Sequence, residues 1–264
     1  GALVKAQNVF DVMQIKGATS QTTLSEAYAK NGSLIKGQEM VNKLSAQGIV
    51  CACTSLISGY VEYGFTEEAM MNIERMQVEG LCLDAAMLVF ILKSCGKEGA
   101  IETGREIHTM IVKRGLEREV FVGNTLVDMY AKHSLLSEAL VVFDGIVERT
   151  VVSWNALISG YVRLGESEHV FMLFEMMLKE GIKPSRASFL NVLTTCSHMG
   201  LIEMGYRYLE LMKHYGVAPT VEVHNCMVNL LSRAGRLGEA FSAFNQIHTQ
   251  PDLITWKTLM AGCQ

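Results

Sequence analysis

The stretch VVSWNALISGYVRLGESEHVFMLFEMMLKEGIKPS, residues 151–185, decides how the chain is read. Trp154, Leu157, Ile158 and Tyr161 fall at i, i+3, i+4 and i+7, which stacks them on one helix face. Gly165 then stops the helix, at a place where left-handed backbone costs least without a Cβ. Val170, Leu173, Phe174 and Met177 repeat the spacing, and Gly181 with Pro184 breaks the chain again. The stretch therefore specifies two helices, each with one apolar face. A lone hairpin has nothing to bury those faces against, so similar hairpins must stack beside it.

The neighbours are present in the sequence. LISGYV at 157–162 also stands at 56–61, 101 residues earlier. The same offset links Cys95 to Cys196, Ile101-Glu102 to Ile202-Glu203, Asn124 to Asn225 and Val127 to Val228. A first helix stop recurs at Gly64, Gly99, Gly165, Gly200 and Gly235, and a second at Gly80, Gly115, Gly181 and Gly216. Aligning on these glycines gives units 18–49, 50–84, 85–119, 120–150, 151–185, 186–220 and 221–252. Residues 1–17 are then the second helix of a truncated repeat, and 253–264 the first helix of a further element. Ser134 stands where 120–150 should have its glycine, which weakens that stop without moving the register. No segment alternates with period two for long enough to compete as a strand. The expected fold is all-α, a right-handed α-solenoid superhelix of stacked helical hairpins forming one domain.

Composition agrees with a packed chain. Of 264 residues 49% are hydrophobic and the formal charge is −4, which excludes disorder. The longest uncharged apolar stretch, Ala85 to Leu92, is far too short to span a membrane. Sixteen methionines suit gap-filling in a core, and Trp154 and Trp256 are expected to pack between helices. Cys51, Cys53, Cys82, Cys95, Cys196, Cys226 and Cys263 form no CxxC and read as reduced thiols buried as small apolar residues. The mildly acidic balance argues against binding a polyanion by charge alone. Gly1 in place of Met is expected of a fragment whose targeting segment lies ahead of it.

The segments VVSWNALISGYVRLG…LFEMMLKEGIKPS, FLNVLTTCSHMGLIEMG and HNCMVNLLSRAGRLGEAF resemble the pentatricopeptide repeat family. Unit lengths of 35, 35 and 31 residues are similar to its plant PLS subclass. On that resemblance 50–84 and 151–185 are P-type, 85–119 and 186–220 L-type, and 120–150 and 221–252 S-type, with 18–49 S- or P-like. The closing DLITWKTLMAGCQ resembles the first helix of an E-type extension.

The first helix of 151–185 has a second face carrying Val152, Asn155 and Ser159, opposite the Trp154 stripe. One amide per hairpin beside a small apolar side chain suits a flat object with a polar edge. A base of single-stranded RNA is such an object, because its pairing edge is free. An Asn in a first turn is by itself as well explained as a cap or a solvated residue. Asn124, Asn155 and Asn225, fifth in three separate units, favour the base-reading role.

The resemblance implies more. In similar proteins the fifth and last residues of a repeat choose the base, and the second residues of adjacent repeats sandwich it. Thr54 with Asp84 then favours guanine, Asn155 with Ser185 cytosine, and Asn225 with Asp252 uracil. Asn124 with Thr150 implies a pyrimidine, while Thr22 is a purine-type residue whose partner Ile49 offers no side-chain hydrogen bond. Val152 and Phe121 occupy the sandwiching place. Val89 with Glu119 and Leu190 with Thr220 cannot read a base edge and make their units spacers. Units 18–252 thus imply N-G-N-Y-C-N-Y.

Proteins of this subclass commonly specify sites for C-to-U RNA editing in the mitochondrion or chloroplast, so the implied partners are single-stranded RNA and a deaminase domain or editing-factor protein. The deaminase would need H-x-E and P-C-x-x-C to hold zinc and move protons, and neither occurs. No metal site, cofactor or catalytic residue is expected. Four informative units discriminate a short sequence but not a transcriptome, so further repeats are expected ahead of residue 1. A peptide-binding solenoid scaffold is the alternative reading.

Overall fold

The computed structural model describes residues 2–14, 17–42, 46–78, 80–81 and 85–245. Among the described residues there are fifteen α-helices and no strand. The chain divides into two compact units, residues 1–133 and 134–264.

The first unit contains α1 (Ala2–Val12), α2 (Ala18–Lys30), α3 (Leu34–Val41), α4 (Ala46–Glu62), α5 (Thr66–Val78), α6 (Ala85–Glu98), α7 (Ile101–Lys113) and α8 (Val120–Lys132). The hairpins α2/α3, α4/α5 and α6/α7 stack through their first helices, since α2 packs on α4, α4 on α6 and α6 on α8. The second unit contains α9 (Leu136–Gly145), α10 (Val151–Leu164), α11 (Ser167–Lys179), α12 (Arg186–Met199), α13 (Ile202–His214), α14 (Val221–Arg233) and α15 (Leu237–Asn245). Here α10 packs on α12 and α12 on α14, each also holding its own second helix. The fold is an all-α solenoid of helical hairpins.

The apolar faces set this packing. Trp154, Leu157, Ile158, Val170, Phe174 and Met177 are fully buried, and Leu173 nearly so. The Trp154 ring meets Phe143 of α9 edge-on at 4.8 Å. Burial of such a ring is worth several kcal/mol, and Trp→Ala in a core costs about 3–5 kcal/mol. Arg149 ties the α9–α10 connection: its guanidinium lies over Phe143 at 4.7 Å and donates to the Phe143 carbonyl and to Glu180. Trp256 lies outside the described residues, as do Asp84, Asp252, Cys82, Cys263 and the whole of 253–264.

All nine glycines read from sequence as helix stops sit at positive φ, between 67° and 79°, and Gly32 joins them at 72°. Ser134 takes the same left-handed backbone at φ 62°. One boundary differs from the reading. The helix expected to open at residue 50 begins at Ala46. Ile49 has no side-chain oxygen to cap a helix, so nothing in the sequence stops the helical run at that point.

Candidate nucleic-acid interface

The helices α8, α10, α12 and α14 each begin directly after the residue that closes the preceding unit. Glu119, Thr150, Ser185 and Thr220 are accordingly the N-caps of these helices, all with extended backbone. The last residue of one unit is therefore the first fixed point of the next.

At one joint this brings the fifth and last residues together. Asn155 Nδ2 on α10 donates to Ser185 Oγ at the start of α12, at 3.0 Å. The contact follows from the stacking of α10 on α12, which places the first turn of one beside the first turn of the other. Asn155 is half-buried and its Oδ1 is buried without a protein partner. Beside it Val152 is 58% exposed. A half-buried side-chain amide fixed by one hydroxyl, next to an apolar surface open to solvent, can meet the polar edge and the flat face of one planar ligand.

The other residues of this type are placed less uniformly. Asn124 lies on α8 at 9% exposure, and its Oδ1 is likewise buried without a partner. Phe121, three residues before it, is 58% exposed, with the Lys93 ammonium of α6 over its ring at 5.3 Å. Thr54 on α4 is half-buried and donates its hydroxyl to the Val50 carbonyl at 2.7 Å, leaving the oxygen to act as an acceptor. Thr22 and Asn225 are half-buried on α2 and α14. Asp84 and Asp252, expected to complete two of the pairs, lie outside the described residues. Val89 is buried at 2% exposure, which removes it from any reading surface, and Leu190 is half-buried.

Residues that the sequence reading passed over also stand here. Lys93 reaches Phe121 only because α6 packs on α8, which no local pattern announces. Ser153 and Ser188 form capping boxes with Thr150 and Ser185. Their signal was present as T-x-x-S and S-x-x-S, relatives of the capping-box pattern in which Ser stands for Glu.

No group of three or more His, Cys, Asp or Glu able to hold a metal occurs among the described residues. Burial pushes the Cys95 and Cys196 thiols up to about 12, far from a reactive thiolate. Among the described residues no helix is long and apolar enough to cross a membrane.

Comparison with known proteins agrees with the hairpin architecture. A model of the PPR repeat matches residues 51–81, 124–151 and 222–250, and a model of the PPR repeat family matches 149–198. A pentatricopeptide repeat-containing protein of Arabidopsis thaliana is 36% identical over 244 residues, covering 92% of this chain and 33% of the relative. A second, mitochondrial one from the same plant is 34% identical over 245 residues, covering 92% and 38%. The chain thus spans 23–38% of the length of the curated relatives it matches. The crystal structure of the maize pentatricopeptide repeat protein PPR10 aligns with 98% of this chain and 40% of its own, at a TM-score of 0.69 and 19% identity. PPR10 in complex with an 18-nt psaJ RNA element aligns with 98% and 45%, at 0.57 and 16%. At these identities the structures speak for the fold. The two family models together cover just over half of the residues, and the chain belongs to the pentatricopeptide repeat family.

Proposed function

We propose that this chain binds single-stranded RNA sequence-selectively, about one base for each reading hairpin, as the site-recognition part of an organellar factor for C-to-U editing. The observation that carries the reading is the bond between Asn155 Nδ2 and Ser185 Oγ, which joins the fifth and last residues of a unit into one polar group. RNA as the ligand is supported by the structural relatives: PPR10 was crystallised with an 18-nt RNA element, and the PPR domain of Arabidopsis thaliana protein-only RNase P 1 with tRNA. Mitochondrial relatives support an organellar setting. The editing role is supported by the alternation of 35-, 35- and 31-residue units. Deamination itself belongs to a further domain or a partner.

The Asn155 amide, held by the Ser185 hydroxyl, meets the base edge, Val152 offers it a flat apolar contact, and Phe121 with Lys93 offers a stronger stacking surface at another hairpin. Stacking contributes roughly 1–3 kcal/mol per base, so a few such sites suffice for a stable complex with a short strand. The test is a panel of short RNAs varied one base at a time against the intact chain. With the native pair, cytosine is preferred opposite 151–185. Ser185→Asp shifts that preference to uracil, and an unchanged preference overturns the reading. Duplex DNA bound as tightly as single-stranded RNA also overturns it.

A further inference from the structure

We propose that Ser188, which belongs to the following hairpin, is a positioning residue that fixes which base Asn155 accepts. This rests on the RNA reading above and adds a residue outside the fifth and last places. Ser188 is fully buried one turn into α12 and faces Ser185, not the solvent-facing surface.

The argument is an account of one hydroxyl. Ser185 Oγ has two lone pairs and one proton. Asn155 Nδ2–H donates to it at 3.0 Å, and the Ser188 backbone N–H donates to it at 3.4 Å. Both lone pairs are thereby engaged. Ser188 Oγ, 3.2 Å away, is placed to take the proton, and it also accepts the Ser185 backbone N–H at 3.0 Å. Ser185 is left able only to accept from Asn155. The amide must therefore turn Nδ2 towards the serine and Oδ1 away from it, and Oδ1 is the atom buried without a protein partner.

An Asn amide turned over exchanges donor for acceptor at the edge a base would meet. Without the Ser188 hydroxyl the Ser185 proton is free to swing towards Asn155. Oδ1 could then accept it, and the overturned amide becomes as good as the original. Ser188 removes that second state.

The same arrangement recurs at the preceding joint. Ser153 Oγ accepts the Thr150 backbone N–H at 3.0 Å and lies 3.3 Å from Thr150 Oγ1. At Thr220 the third place is Val223, which has no hydroxyl. At two successive joints a buried serine hydroxyl thus lies beside the cap hydroxyl of its own helix.

The experiment compares the intact chain with Ser188→Ala and Ser188→Thr on RNAs carrying each base opposite 151–185, and on a second set varied opposite another hairpin. Ser188→Ala should reduce discrimination opposite 151–185 about fivefold, the equilibrium factor of one ordinary hydrogen bond, and leave the second set unchanged. Ser188→Thr, which retains the hydroxyl, should restore it. Equal weakening for all four bases, or no change, overturns the proposal by showing a role in the fold alone. A parallel thermal-unfolding cycle of Ser188→Ala with Asn155→Ala, without RNA, should be non-additive; additivity also overturns it. Non-additivity in a native chain that is indifferent to the base overturns the RNA reading itself.

Discussion

Ser134 holds the backbone that nine aligned glycines hold elsewhere. Among the described residues it is the only one other than glycine at positive φ. A side chain there costs about 1–2 kcal/mol, while glycine loses about 0.5–1 kcal/mol more chain entropy on folding. The first effect wins, so Ser134→Gly should raise stability by about 0.5–1 kcal/mol in chemical denaturation. A midpoint that stays or falls would show that the strain is relieved by other means. This position was legible because a stop in one unit predicts a stop at the same place in the next. The Asn155–Ser185 contact was legible only as a pair of positions, since residues thirty apart meet through the stacking of two helices.

Between elements, α7 and α8 are joined by a part-buried polar contact. His108 Nδ1 lies 2.8 Å from the Tyr130 hydroxyl, with the rings edge to face at 5.5 Å. Burial lowers the His108 pKa below its ordinary 6.5, and the charge of Glu117 opposes this. The folded state therefore binds the proton less readily than the unfolded chain. The contribution is fully present above the unfolded value and is lost as pH falls through the folded value. The thermal midpoint should drop between about pH 7 and pH 5, and drop less in His108→Gln. Equal slopes in the two proteins would remove His108 as the cause. At this scale the helical faces were readable from spacing. The early start of α4 was not, because a missing cap leaves a boundary free to drift.

For the whole molecule the net charge of −4 limits how much phosphate attraction can contribute. Several cations are already engaged, Lys132 with Asp128 at 2.6 Å, Lys213 with Glu210 at 2.7 Å and Arg236 with Glu239 at 2.6 Å. Each phosphate contact to a single strand contributes a slope of about 0.7 in log K against log salt. A chain that depends on stacking and base edges should show a total below about 3. A slope above about 5 would mean that phosphates, not bases, dominate binding.

The N-cap shared between consecutive hairpins has a consequence for engineering. A hairpin cut out at its nominal ends and grafted into another solenoid leaves behind the first turn that holds its closing hydroxyl. In the 151–185 hairpin that turn is Arg186 to Ser188. The transferable cassette is therefore not the repeat as aligned but the repeat plus the opening turn of its successor. Libraries assembled on the shorter boundary would make each module depend on the neighbour placed after it.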